Sequence, residues 1–166
     1  FSSLSSFNWW KPGYQKQLAQ GRVLLKFAAE IYPLQLDSGR HFLHEHPVGA
    51  SSWKEPCMRR LLSDKRVGIT IADLCMYGMT TTGADGVAHP ARKTTRFISS
   101  SNAVLSQLSG RCPKLHNHVH LLDGKARATE QYPPRLVAAS LRAIRRTLVR
   151  KGAMSVSVSY THLPLP

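Results

Sequence analysis

Apolar residues follow a helical spacing in some segments of this chain and a strand-like pattern in others. Over residues 14–36 they recur three to five positions apart, which predicts an amphipathic helix that Pro33 should kink or end near its last turn. Residues 52–63 and 134–150 have the same kind of spacing and are also predicted to be helical. A shorter helix is predicted over residues 102–108.

Short apolar or β-branched runs lie between these helices. They predict strands or extended segments at residues 41–45, 67–71, 94–98 and 118–122. The segment 80–90 is rich in Thr, Gly and Asp and is predicted to be a loop. Because helices and strands alternate along the chain, the pattern favours an α/β layer structure with a mostly parallel sheet.

The length of 166 residues suits a single domain, which we assign to residues 1–150. Beyond Gly152 the sequence changes to MSVSVSYTHLPLP, and its last residues resemble translated adapter sequence. We therefore expect residues 151–166 to be an unstructured, artefactual tail. The alternative is an ordinary disordered tail with β-prone alternation.

The chain is strongly basic, with 23 Lys and Arg residues against 9 acidic residues and a formal net charge of +14. A compact body with that excess attracts polyanions, so nucleic acid is the expected partner. A basic balance can also arise from biased codon usage or a decaying reading frame, and charge alone does not separate these origins.

The three cysteines, Cys57, Cys75 and Cys112, are an odd number without a tight pairing pattern. The sequence has no secretory signal and no apolar run of about 18 residues, which a membrane-spanning helix would need. We expect a reduced intracellular protein, nuclear or cytoplasmic, that does not associate with a membrane.

A carboxylate between two histidines marks residues 39–53, which read GRHFLHEHPVGASSW. Glu45 lies between His44 and His46, where a predicted strand ends and a loop begins, and α/β enzymes place their chemistry at such strand ends. If the strand is regular, both histidines point to the face opposite Glu45. Glu45 is the candidate catalytic residue, and the alternative is a paired structural carboxylate.

This stretch resembles the methyltransferase-like module of copia-type retroelement polyproteins, which is distantly similar to cytosine-C5 DNA methyltransferases. That module has a Gly-Arg-Tyr-Phe-Leu-His-Glu-His-Pro strand, followed by Ala-x-Ser-Trp and then Glu-x-Cys. Residues 39–47 of this chain match the strand, with His41 in place of Tyr. The later positions are matched by Ala50, Ser52, Trp53, Glu55 and Cys57. Later matches are Cys75, Tyr77, Gly78, residues 92–97, residues 111–113, Tyr132, Pro133 and Leu136. The resemblance covers residues 1–144.

The resemblance implies an incomplete Rossmann-like three-layer sandwich and a parent family that methylates DNA cytosine at C5 with S-adenosylmethionine. Glu45 would correspond to the family's glutamate, which hydrogen-bonds the edge of a flipped cytosine while a cysteine attacks C6. His46 stands where that family has Asn.

The family's nucleophilic Pro-Pro-Cys would lie upstream of Phe1, and its Gly-rich cofactor loop farther upstream. We therefore expect an N-terminally truncated fragment that neither binds S-adenosylmethionine nor methylates DNA by itself. A sheet without its first strands can expose an unpaired edge, so self-association is also expected. The alternatives are a basic nucleic-acid-binding module without catalysis and a decayed fragment without function.

Two groups of cations are candidate phosphate contacts. The segment HPARKTTR places cations beside hydroxyl residues that can donate to phosphate, and the helix at residues 134–150 carries arginines over apolar Leu141, Ile144 and Leu148. The candidates are Arg92, Lys93, Arg96, Arg142, Arg145 and Arg146. The alternatives are a solvated turn and an ordinary basic amphipathic helix.

One set of metal-ligating residue types is clustered in sequence: Cys112, His116, His118 and His120. Thiolate and imidazole suit zinc, but structural zinc sites usually pair two close couples of ligands. The second couple would have to be completed by Cys75 or His89. We therefore expect no zinc, and the alternative to a metal site is exposed histidines on an edge strand.

Overall fold

The computed structural model describes residues 9–119, 121, 129 and 131–153. Its helices are α1 (Tyr14–Asp37), α2 (Pro56–Leu62), α3 (Asn102–Gln107) and α4 (Pro134–Arg150). Its strands are β1 (Leu43–Pro47), β2 (Gly68–Asp73), β3 (Thr80–Thr82), β4 (Ala88–Pro90) and β5 (Thr94–Ser99). Two short 3-10 helices, η1 (Ser51–Lys54) and η2 (Leu74–Tyr77), follow β1 and β2.

The main sheet has three strands in the order β1-β5-β2, and β5 pairs antiparallel with both neighbours. In this register Glu45 lies opposite Phe97, and Arg96 lies between His46 and Ile71. The expected Rossmann-like three-layer sandwich with a mostly parallel sheet is wrong. The alternation of helices and strands along a chain does not fix strand order, and here the latest strand inserts between two earlier ones and runs against both.

Residues 80–90 form a hairpin rather than the predicted loop. Strands β3 and β4 pair antiparallel, and the Gly83 amide donates to the Val87 carbonyl across the turn (2.7 Å). Asp85 accepts the Val87 amide, and Gly86 has a φ of 77°, a conformation that favours glycine. Thr81 is buried between two exposed threonines, so the strand alternation was present in a segment that its turn residues marked as a loop.

Helices cover both faces of the three-stranded sheet. Phe97 packs with residues of α3 and α4, whereas its neighbour Ile98 packs with residues of α1, α2 and η1. Consecutive strand residues point to opposite faces, which is why one central strand contributes to both cores. The sheet thus places α1 and α2 on one side and α3 and α4 on the other.

The helices predicted at residues 14–36, 102–108 and 134–150 are confirmed, with small differences at the ends. The segment 52–63, predicted to be one helix, is divided at the extended residue Glu55 into η1 and α2. Pro33 lies inside α1, which continues to Asp37, so proline does not end this helix. Residues 154–166 of the predicted tail lie outside the described residues, as do residues 120 and 122 of the predicted extended segment. Within the described parts of the chain, no helix is long and apolar enough to cross a lipid bilayer.

Candidate functional site

Four metal-ligating side chains converge beside the end of β2. Their ligand atoms all lie within 4.8 Å of one another, and the residues are Cys75, Cys112, His116 and His118. The Cys112 sulfur is 3.5 Å from Nε2 of His116 and 3.5 Å from Nε2 of His118. The second sulfur, that of Cys75, is 3.4 Å from Nε2 of His118. We call this set the Cys/His cluster, and its donor types are those that bind zinc.

Two separate segments bring the cluster together. Cys75 lies in η2, which Gly78 ends with a φ of 84°, and the other three residues lie in the loop that follows α3. The Gly110 amide donates to the Tyr77 hydroxyl (3.1 Å), and the Val119 amide donates to the Pro90 carbonyl (3.0 Å). Hydrogen bonds therefore join the start of the loop to η2 and its end to β4.

The buried carboxylate of Asp73 contacts the loop that carries Cys112. Its side chain is 1% exposed and accepts hydrogen bonds from the Thr94 hydroxyl (2.6 Å) and the Cys112 amide (3.0 Å). Arg92 and Arg111 approach the same carboxylate at 3.3 and 3.4 Å. Burial alone would raise the pKa of Asp73, but these hydrogen bonds and cations outweigh burial and lower it. The ionised carboxylate thus fixes the backbone of one cluster residue.

Cys75 and His118 have shifted pKa values. Burial, with a further contribution from neighbouring Cys112, raises the pKa of Cys75 to about 11. Burial, followed by the nearby charges of His116 and Arg92, lowers the pKa of His118. At neutral pH His118 is therefore an uncharged imidazole, which is the form that coordinates a metal.

The structure brings together three of the four sequence-predicted metal candidates and adds Cys75. The fourth, His120, lies outside the described residues. Of the two residues considered as completing ligands, His89 instead contacts Asp85 in the β3–β4 hairpin at 2.7 Å. Cys75 is separated from the last residue of β2, Asp73, by Leu74, and its Cys-x-Tyr-Gly context was the sequence signal that could have selected it.

The two histidines of β1 have a different environment. Nδ1 of His44 lies 2.9 Å from the Tyr32 hydroxyl, and Nδ1 of His46 lies 2.5 Å from the Ser52 hydroxyl. Both rings contact Trp53 edge-on, at centroid distances of 5.4 and 6.1 Å. Burial, followed by the charge of His46, lowers the pKa of His44 to about 4. These rings are packed side chains with hydroxyl partners.

Glu45 points to the other face of β1, as the strand geometry predicts. Its Oε2 accepts a hydrogen bond from the Tyr132 hydroxyl (2.7 Å), and burial together with this contact raises the pKa of Tyr132. Its Oε1 is buried and has no hydrogen-bond partner among the described residues. Glu45 lines a cavity of about 470 Å³, whose wall also includes Phe97 and Leu136. The candidate catalytic carboxylate therefore lies on a cavity wall and uses one of its two oxygens in a described hydrogen bond.

The cations of the β4–β5 region have partners within the chain. Arg92 contacts Asp73, and the Lys93 ammonium donates to the Thr129 carbonyl (3.0 Å). The Arg96 guanidinium lies 4.9 Å from the ring centre of Trp53, in a cation–π contact. These three residues do not form one outward-facing set, and their assignment to nucleic-acid binding stays a prediction.

Helix α4 carries its candidate arginines at exposed positions. Arg142, Arg145 and Arg146 are exposed, whereas Leu136, Ala139 and Ala143 form the buried face. The apolar residues that the sequence placed beneath the arginines are themselves exposed in part, with Leu141 at 61% and Ile144 at 40%. The small alanines pack against α3 and β5 instead.

No family model, curated protein or solved structure matches this chain significantly. The resemblance to retroelement methyltransferase-like modules therefore depends on the quoted motifs and stays a prediction. Any function proposed for this chain has to be derived from the geometry of its described side chains.

Proposed function

We propose that this chain is a basic nucleic-acid-binding module and that exposed arginines of α4 contact phosphates. The observation that carries this proposal is the group Arg142, Arg145 and Arg146 on the outer surface of α4. The sequence from 131 to 153 contains no Asp or Glu, so this segment carries no negative side chain of its own.

Three of the acidic residues that the structure describes form ion pairs outside α4. Asp37 and Asp64 pair with Arg66, and Glu55 pairs with Arg22, which places these pairs on α1, α2 and the segment leading to β2. None of these ion pairs uses a residue of α4. The positive charge of a group of exposed arginines attracts polyanions before any contact forms.

The spacing of the α4 arginines suits phosphate contacts. Residues three and four apart are neighbours on a helix surface, with about 5–6 Å between their Cβ atoms. Guanidinium groups donate two parallel hydrogen bonds to phosphate, and such contacts position a protein without reading sequence. The proposed binding is therefore salt-dependent and tolerant of sequence.

A salt titration with labelled oligonucleotides tests this proposal. Each phosphate contact to duplex DNA contributes about 0.9 to the slope of log affinity against log salt, so R142Q/R145Q/R146Q should lower the slope by up to about 2.7. The matched control is K16Q/R59Q/R60Q, which removes the same charge from α1 and α2 on the opposite side of the sheet. The control should retain most of the slope.

Equal losses in the two triple variants would contradict the role of α4, because they would reflect net charge alone. Affinity that does not change with salt would contradict the whole proposal. Running single-stranded and duplex probes side by side shows which form is preferred.

A second candidate is base recognition at Glu45, in keeping with the methyltransferase resemblance. It is favoured by one observation: Glu45 lines the 470 Å³ cavity, and its buried Oε1 has no hydrogen-bond partner among the described residues. A carboxyl group there could hydrogen-bond the Watson–Crick edge of an extruded base. NMR titration with cytidine should shift the signals of Phe97 and Tyr132 in the wild type and not in E45Q; unchanged spectra in both would reject this candidate.

Binding of S-adenosylmethionine by this chain can be tested directly. We predict that calorimetry with S-adenosylmethionine gives no binding heat at micromolar concentrations. Micromolar binding would overturn the expectation that this chain neither binds the cofactor nor methylates DNA.

A further inference from the structure

We propose that Cys75, Cys112, His116 and His118 bind one zinc ion as a structural site. This inference is independent of nucleic-acid binding, because it depends only on the Cys/His cluster. The cluster joins η2 to the loop after α3, two segments that are far apart in sequence.

The distances within the cluster are those of a tetrahedral site. Zinc lies about 2.3 Å from sulfur and about 2.0–2.1 Å from imidazole nitrogen, which places sulfur and nitrogen about 3.5 Å apart at tetrahedral angles. Three of the four sulfur–nitrogen distances are 3.5, 3.5 and 3.4 Å, and all four ligand atoms lie within 4.8 Å of one another. A zinc ion could therefore enter with little movement of the side chains.

Hydrogen bonding among these four side chains explains their convergence less well than a bound metal does. Thiols are weak donors and weak acceptors, so contacts between sulfur and imidazole contribute little stabilisation. A metal coordinates all four atoms at once. Sulfur and nitrogen donors also exclude the hard cations Mg²⁺ and Ca²⁺, which prefer oxygen.

Backbone groups around Cys112 support a thiolate ligand. The Lys114 amide approaches the Cys112 sulfur at 3.3 Å, a contact that stabilises negative charge on sulfur. Lys114 has a φ of 62°, and it is the only non-glycine residue with positive φ among the residues that the structure describes. The Cys112 amide is held by Asp73. Such outer contacts orient metal ligands in known sites.

Four protein ligands make this a structural rather than a catalytic centre. Catalytic zinc keeps an open position for water or substrate, whereas a set of two cysteines and two histidines closes the tetrahedron. Binding releases the two thiol protons, and the two thiolates then balance the charge of Zn²⁺. The site would stabilise the loop between residues 110 and 119, in which the structure describes no helix and no named strand.

Elemental analysis of purified protein tests the site directly. We expect one zinc per chain in the wild type, and a loss of at least tenfold in C75S and in C112S. The matched control is C57S, because Cys57 lies on α2 and contacts the other hydrophobic core. Zinc retained in C112S, or lost equally in C57S, would overturn the proposal.

A second measurement uses the unaltered chain and does not depend on how the variants fold. Excess zinc should protect Cys75 and Cys112 from alkylation while Cys57 still reacts, and cobalt should give the visible spectrum of a tetrahedral dithiolate site. Equal alkylation of all three cysteines would overturn the proposal. So would a Cys75–Cys112 disulfide, seen as a mass two hydrogens lower, in protein prepared under reducing conditions.

Discussion

Two His-x-His pairs among the described residues have the same spacing and different surroundings. His44 and His46 lie on β1 with ring centroids 5.1 Å apart, and His116 and His118 lie in the loop after α3 with centroids 4.5 Å apart. The β1 rings contact hydroxyl groups and Trp53, whereas the loop rings contact sulfur. The partners brought by distant segments, rather than the spacing, decide which pair could bind a metal.

The largest predicted effect on stability comes from replacing Trp53, which packs against both β1 histidines and Arg96. Removing a buried aromatic side chain costs about 3–5 kcal/mol, so W53A should lower the free energy of unfolding by that amount. Trp10 is 65% exposed, and W10A should change stability by no more than about 0.5 kcal/mol. Urea unfolding measures both. Similar effects in the two variants would contradict the packing described for β1.

The second effect concerns zinc and separates the loop pair from the β1 pair. A ligand at about 100 to 1,000 times its dissociation constant stabilises the folded state by about 2.7–4.1 kcal/mol, so chelation should lower the melting temperature markedly. In C112S the melting temperature should no longer respond to zinc or chelator. A response that persists in C112S would place the metal elsewhere.

The third effect is a pH dependence that originates in β1. The pKa of His44 is lowered to about 4, so the folded state holds this ring neutral while the unfolded chain protonates it below about 6.5. Stability is therefore full above about pH 6.5 and falls as the pH drops towards 4, by on the order of 2 kcal/mol after allowance for partial exposure. Burial also lowers the pKa of His46, so this ring adds to the loss of stability at low pH.

Urea unfolding between pH 7 and pH 5 tests this dependence with H44Q. The variant should lose less stability than the wild type over that interval, because one of the neutral rings is gone. Parallel losses in the two proteins would show that His44 is not the source.

The smallest effect concerns Glu45, the residue between the β1 histidines. Tyr132 donates a hydrogen bond to Oε2 of Glu45, and Y132F should destabilise the chain by about 1 kcal/mol because this carboxylate oxygen then loses its donor. Y14F, at the start of α1, is the matched control and should be near neutral. A neutral Y132F would indicate that water replaces the hydroxyl.

Local patterns predicted most of the helices and strands. The helix at residues 134–150 was predicted with the bounds of α4, because its helical spacing and its Pro start are local signals. The order of the sheet was not predictable from such signals. Pairing of β5 with both β1 and β2 depends on contacts between segments that are distant along the chain.

The Cys/His cluster was also predictable only in part from the sequence. Cys112, His116 and His118 are close in sequence and were recognised as one group, whereas Cys75 is 43 positions away from His118. Arg92 and Lys93 were interpreted as phosphate contacts because nothing nearby in sequence reveals Asp73 or the Thr129 carbonyl as partners. Tertiary partners redirect side chains whose local sequence suggests that they face solvent.

The most direct test of the contrast between the two pairs is the zinc-to-protein ratio of H118Q and H46Q, measured on folded, reduced protein. The account predicts that H46Q keeps one zinc per chain and that H118Q loses it. Equal zinc in both variants, whether retained or lost, would contradict the assignment of the metal to the loop pair.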